Sequence, residues 1–367
     1  MSMSVEKCID VRPETENLLA WLFSASRWEL PVRAEESDRI QGLYRHAREI
    51  CLKECGQGVL LRGIVEFSNY CRNSCLYCGL RSQNKDVHRY RMSRKQVLAA
   101  VENIYRQGIK TVVLQSGEDP LISEDWLARV ISSIKERFDM AVTLSVGEWP
   151  YRFYKKLRNA GADRFLLKIE TTDRDLYEKL HPGMSYDNRL RCLNHLFELE
   201  YQNGSGIITG LPGQTLESIA RDILFLYELD FDMISIGPFV PHPGTPLGGS
   251  PPGTAELTCG AIALIRILTR NAHMPATTAL AAGQKDLRSK GLLAGANVIM
   301  PNFTPAQYAV HYDIYPEAPR GSVRNQTAGC VQVFSACSAI AAADRVSDFS
   351  RGDSLKCRVE QKKGAST

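Results

Sequence analysis

Two periods of apolar residues alternate along most of this chain. "SRKQVLAAVENIYRQG" places apolar residues three and four apart, as a helix packed on one face does, and Ser93 stands where an N-cap would. It is followed by "KTVVLQS", a short run apolar enough to be a buried strand. "SEDWLARVISSIKERF", with a capping serine and an acidic first turn, precedes "MAVTLSVG". The same step recurs with "YRFYKKLRNAG" before "DRFLLKIE", "YDNRLRCLNHLFELE" before "GSGIITGL", and "LESIARDILFLYELD" before "MISIGPF". "ELTCGAIALIRILTR" before "MPATTAL" and the stretch "KGLLAGANVIM" complete the series. Helices alternating with buried strands predict a parallel sheet with right-handed crossovers.

Counting from "LLRGIVEF" gives about eight strands, so the pattern predicts an α/β fold, a TIM-like (β/α)8 barrel. In such a barrel the loops after the strands gather at one mouth. The loops "QSGEDP", "GEWP", "KIETT", "GLPGQT" and "PFVPHPGTP" should therefore converge there with the loop that follows the first strand. Residues 1–59 read as an N-terminal helical segment. Leu18, Leu19, Trp21, Leu22 and Phe23 form one apolar group in it, and "IQGLYRHAREICLKECG" carries the helical period up to Gly56. Residues 60–304 form the barrel, 305–345 a segment closing it, and 346–367 a polar tail with little to bury.

The composition adds little beyond exclusions. Over 367 residues, 44% are hydrophobic and 23% charged, and the net charge is +4. That charge gives no reason to expect nucleic acid or a membrane surface as partner. No apolar run reaches the roughly 20 residues a membrane span needs, and the N-terminus lacks the apolar core of a secretory signal. The expectation is a cytoplasmic monomer.

Eleven cysteines are many for such a chain, and disulfides are rare in the cytosol. Cys8, Cys51, Cys55, Cys192, Cys259 and Cys357 show no informative spacing; Cys51 and Cys55 read as ordinary packing cysteines. "CRNSCLYC" is different: Cys71, Cys75 and Cys78 supply three soft thiolates from one loop. A structural zinc wants four protein ligands, so a zinc reading needs a distant fourth. On a four-iron cube, three thiolates leave one iron open for an outside ligand.

With Tyr77 immediately before the third cysteine, the loop resembles that of the radical S-adenosylmethionine (SAM) superfamily. The resemblance implies a [4Fe-4S] cluster on Cys71, Cys75 and Cys78. SAM would bind its open iron and be cleaved by one electron to a 5′-deoxyadenosyl radical. It further implies that Ser116, Gly117 and Glu118 of "QSGED" receive the SAM ammonium. Glu170 would face a cationic group such as that ammonium, and Arg189 would pair with the SAM carboxylate. Tyr77, and Met300 and Pro301 of "VIMPN", would complete the SAM site.

A closer likeness runs from about residue 60 to 315. "EFSNYCRNSCLYCGLRSQNKDVHRYRM", "VTLSVGEWP", "GLPGQT", "DFDMISIGPFVPHPGTPL", "PATTA" and "GANVIMPNFTP" together resemble the [FeFe]-hydrogenase maturase family HydE, whose relatives include biotin synthase and methylornithine synthase. That family implies an organometallic substrate, an iron carrying CO, cyanide and cysteine, on the path to the hydrogenase two-iron subsite. It also implies the companion maturases HydG and HydF and an electron donor such as ferredoxin or flavodoxin. Arg62, Gln115, Lys168, Thr277, Thr278, Tyr308 and Tyr312 are then the expected substrate-binding groups, with Arg62 and Lys168 suited to an anionic ligand.

Two departures stand out. The family usually shows Arg-His-Glu-Thr where this chain has Lys168-Ile169-Glu170-Thr171, and isoleucine cannot donate, accept or titrate. That opens a second reading: a related enzyme acting on a different small molecule, with biotin synthase-like or methylornithine synthase-like chemistry. Cys330 and Cys337 do not reproduce the spacing of the second, C-terminal cluster found in part of the family, so no auxiliary cluster is expected. A third reading, a cluster carrier or zinc module without catalysis, predicts no SAM cleavage.

Overall fold

The computed structural model describes residues 34–282, 285–316 and 329–356. The apolar group at residues 18–23, Cys8, Cys357 and the end of the expected tail lie outside these residues.

Six parallel strands form the main sheet in chain order: β2 (Gly63–Ser68), β3 (Thr111–Ser116), β4 (Ala141–Ser145), β5 (Arg164–Leu166), β6 (Gln202–Thr209) and β7 (Met233–Pro238). A second sheet pairs β8 (Val298–Ile299) with β1 (Gly58–Leu61) and β1 with β9 (Val346–Asp348). Single bridges lead onward from β7: Met233 to His273, Pro275 to Val298, and Asn302 back to Ile64 on β2. The ring is thus TIM-like, with its last third held by bridges rather than by continuous ladder. The expected strand "MPATTAL" is one of those bridged stretches. Pro275 has no N–H to give, and Asn297 Oδ1 accepts from Met274 N at 2.9 Å where a ladder carbonyl would.

The helices follow their sequence signals. Ser93 caps Arg94–Arg106 in a full capping box with Gln96, and Ser123 caps Glu124–Arg137. Leu127, Val130, Ile131 and Ile134 of the latter face the sheet. "VLLRGIVEFS", read as one strand, breaks at Arg62 into β1 and β2, one in each sheet. At Gly63 a Cβ would run into the Ile104 side chain, so only glycine lets the first ring helix close on β2.

The C-terminal stretch corrects the expectation of a polar tail beginning at 346. β9 joins β1, and residues 351–354 fold under the ring at the N-terminal ends of its strands. The fully buried Arg164 donates to the carbonyls of Arg351 and Gly352 and pairs with Asp353 at 2.8 Å. Arg62 lies in the same floor: its guanidinium meets Gly352 O at 3.2 Å and the Met233 sulfur at 3.0 Å. The polar residues of this stretch answer buried polar partners, which a hydrophobicity pattern does not reveal. Replacing Asp353 with alanine leaves Arg164 with mainly carbonyl acceptors and should cost roughly 2–3 kcal/mol of stability. Urea unfolding at pH 7 measures it, and an unchanged midpoint would remove the floor pair from the account.

Candidate active site

A cavity of about 320 Å³ opens at the C-terminal ends of the strands, and the three loop cysteines line it. The loop's path is set by residues with no motif of their own. Asn69 donates to the carbonyls of His88 (2.8 Å) and His311 (2.7 Å) and accepts from Tyr90 N (2.7 Å). Arg89 spreads its guanidinium over the carbonyls of Asn69, Leu80, Arg81 and Asn84. Gly117, at the end of β3, packs so tightly on the loop that a Cβ would strike the Tyr70 carbonyl and the Cys71 side chain.

All three cysteines carry free thiols. Burial pushes each pKa up: Cys71 above its usual value, Cys78 to about 12, and Cys75 well above. For Cys75 and Cys78 a neighbouring loop thiolate is the next cause. Three thiolates are held together here only if a cationic centre compensates them. Among the described residues no three or more histidine, cysteine, aspartate or glutamate side chains, the loop cysteines included, already surround a single-ion position. The donor set is three sulfurs, which fits a cluster with an open metal better than a four-ligand zinc.

Tyr77, between the second and third cysteines, is held by a histidine the sequence reading missed. His181 Nδ1 faces the Tyr177 carbonyl at 2.7 Å and so carries the proton; Nε2 then accepts from the Tyr77 hydroxyl at 2.7 Å. Burial, then Arg189, lowers the His181 pKa to about 4, which keeps the ring neutral. The unfolded chain therefore takes up this proton first. The contribution of His181 to stability is complete above about 6.5 and is lost as pH falls through 4. Between pH 7 and pH 5 the loss should be roughly 2 kcal/mol. A His181→Gln variant should lack this component when unfolding free energies are compared at the two pH values; an identical pH slope would refute the assignment.

The charged groups form a chain. Glu148 of "GEWP" is the buried counter-ion of Arg189, at 2.5 Å, with side chains 7% and 8% exposed. Asn188 (2.5 Å) and Tyr177 (3.4 Å) also donate to Glu148. Arg189 Nη1 donates to the Lys168 carbonyl, and Nη2 has no hydrogen-bond partner among the described residues. Glu118 is already engaged: it accepts from Glu148 N (2.8 Å) and pairs with Arg72 (3.1 Å). Glu170 stands on the wall with a left-handed backbone, φ 67°, and its carboxylate lies 2.8 Å from the Lys168 ammonium.

Most of the expected site residues do share this cavity. Tyr77, Ser116, Glu118, Glu170, Arg189 and Met300 line it, as do Gln115, Lys168, Thr277, Thr278 and Tyr312. Four expected groups do not, the first being Gly117, which packs against Tyr70 and Cys71 of the cysteine loop instead. Arg62 is in the floor, below the cavity, because position 62 lies at the junction of β1 and β2. The Pro301 carbonyl is taken by Ile64 N at 2.9 Å, so it serves ring closure. Tyr308 packs on Tyr90 and accepts from Gln96 (2.6 Å) outside the cavity. The helix Ala306–Ala309 ends after one turn, so Tyr308 and Tyr312 do not share a face; Tyr312 reaches Gln115 at 3.3 Å instead.

Glu66, Ser145 and Ser235 line the same wall and were missed, their only signal being an interior strand position. Glu66 is Cα partner to Gln115, and Gln115 to Ser145, which puts all three at one level of the ring. Ile169 is fully buried in the apolar core, off the cavity wall, its N–H on Ser205 Oγ at 3.1 Å. The side chain at 169 therefore does not line the chamber.

Residues 65–226 match the Radical SAM superfamily. The [FeFe] hydrogenase maturase subunit HydE of Thermotoga maritima is 48% identical over 276 residues, covering 75% of this chain and 79% of that protein. The 3-methylornithine synthase of Methanosarcina acetivorans is 29% identical over 284 residues, 76% of this chain and 80% of that one. Among solved structures, methylornithine synthase (PylB) superposes with a TM-score of 0.75 at 24% identity, over 97% of this chain and 99% of the other. HydG, a maturase of the [FeFe]-hydrogenase, gives a TM-score of 0.67 at 20% identity, over 86% and 75%. At these identities the two structures speak for the fold alone. No helix among the described residues is long and apolar enough to cross a membrane.

Proposed function

The chain belongs to the HydE family of [FeFe]-hydrogenase maturases, within the radical SAM superfamily, and from that premise we propose that Cys71, Cys75 and Cys78 hold a [4Fe-4S] cluster that binds SAM. Such a cluster would supply the single electron for reductive cleavage of SAM. The observation that carries the reading is that all three loop thiols line one cavity together with Arg189, Glu170 and Lys168.

This chain's residues then divide the work. Arg189, anchored through Glu148, turns its free nitrogen to the SAM carboxylate. Glu170 and the backbone of Ser116–Glu118 receive the ammonium, while Tyr77 and Met300 border the adenine. Glu118 acts mainly by holding Arg72 and the 147–148 turn. The substrate is an anionic iron complex with CO, cyanide and cysteine ligands. Lys168 meets its negative charge, and Gln115, Thr277, Thr278 and Tyr312 supply hydrogen bonds. HydG and HydF are the companion maturases, and a ferredoxin or flavodoxin is the reductant.

The test is reconstitution of [FeFe]-hydrogenase maturation from HydG, HydF and this protein in a mixture lacking HydE. Active hydrogenase is expected. SAM cleavage without hydrogenase activation would mean another substrate; neither would mean that the loop does not support radical chemistry.

A further inference from the structure

The turn that carries Glu170 has a clamp of its own. Left-handed backbone is disfavoured for any residue with a Cβ, and it persists only where the surroundings over-determine it. Glu170 N donates to Gly206 O and Glu170 O accepts from Ile208 N, both at 3.0 Å, which fixes one side of the residue to β6. The other side is fixed by a single carboxylate. Asp222, fully buried on the helix Leu216–Glu228, accepts from Thr172 N (2.5 Å), Thr172 Oγ1 (2.7 Å), Thr171 Oγ1 (3.3 Å) and Gln214 Nε2 (3.4 Å).

Gln214 belongs to "GLPGQT" and binds the end of β6 as well. It donates to Ile208 O and accepts from Gly210 N, at 3.0 and 2.7 Å. The motif's glutamine thus links the strand that holds Glu170 to the carboxylate that holds the residues after it. Asp222 has no cationic partner among the described residues. Burial pushes its carboxyl up to about 6, against the pull of the Thr172, Thr171 and Gln214 hydrogen bonds. A carboxylate kept in so costly a place, with all its donors on one turn and one motif, is placed to fix that turn.

We propose that Asp222 is a positioning residue for SAM binding, holding Thr171 and Thr172 so that Glu170 keeps its left-handed backbone and presents its carboxylate to the cavity. This rests on the reading in which Glu170 contacts SAM. Asp222 itself touches neither the cavity nor the cysteine loop.

The experiment is a double-mutant cycle on the reconstituted holoenzyme, with SAM affinity measured by anaerobic calorimetry and the melting temperature recorded alongside. Glu170→Gln and Asp222→Ala should each weaken SAM binding roughly 10- to 100-fold, as a displaced contact does. The double variant should bind no more weakly than the weaker single one, since both changes remove the same contact. Asp222→Asn keeps the shape and one acceptor oxygen and should recover most of the affinity. If Asp222→Ala does not fold, Thr172→Val removes one donor and should show a smaller loss in the same direction. Losses that multiply in the double variant would overturn the proposal, as would an Asp222→Ala protein that melts earlier but binds SAM normally. If Glu170→Gln binds SAM like the wild type, the contact itself is misassigned and the positioning role falls with it. A wild-type holoenzyme that binds no SAM would instead sink the proposed function as a whole.

Discussion

Cys75→Ala is expected to bring 5′-deoxyadenosine formation down to the enzyme-free level. Cys75 is the middle donor of the three, and burial and its two loop neighbours disfavour its thiol as an anion. Only a cluster's positive charge makes that thiolate tenable, so the residue and the cluster depend on one another. Anaerobically reconstituted wild type should carry about four irons per chain, the content of one four-iron cluster. The variant should carry well under that number and leave added SAM intact under dithionite. About eight irons in the wild type would point to a second cluster, for which Cys330 and Cys337 would be the place to look. Product formed at the wild-type rate by the variant would end the cluster assignment.

The second large effect is expected at Glu148→Ala. Arg189 is almost wholly buried, and Glu148 is the only carboxylate within ion-pair distance of it among the described residues. Removing one member of a buried pair leaves the other charged and desolvated, which costs roughly 3–5 kcal/mol. The variant should melt roughly 4–6 °C lower and bind SAM more weakly, because Arg189 loses the partner that orients it. Glu148→Gln keeps an acceptor for Arg189 Nε and should lie between. A Glu148→Ala protein within about 1 kcal/mol of wild type would mean that water or a shift of Arg189 replaces the carboxylate, and that the pair is not what holds the site.

Both effects concern groups of very different visibility in the chain. The cysteine loop is local: three sulfurs within eight positions carry their chemistry in their spacing. Glu148 could be placed at the mouth as part of "GEWP" after a strand, but its role could not, since its partner lies 41 residues away. Asn69 and Arg89, which shape the loop, donate to backbone carbonyls, and any side chain with an N–H or O–H can do that. The same holds for Asp222, whose importance comes from where its helix sets it.

The alternation of helices and strands through β7, the mouth and its loops, and the three-thiol donor set were determined by the sequence alone. Those follow from hydrophobic period and local spacing, which tertiary contacts reinforce but do not rearrange. Only the tertiary structure decided which polar side chains face the chamber. It sent Arg62 to the floor and Tyr308 outside, brought Glu66, Ser145 and Ser235 in, and put Ile169 in the core. It also turned the polar residues 351–354 from a tail into the floor's counterpart to Arg62 and Arg164. The physical reason is that a buried polar group is satisfied by whatever partner the ring's closure brings within about 3 Å, and that partner is fixed by the fold's geometry rather than by neighbours in the chain.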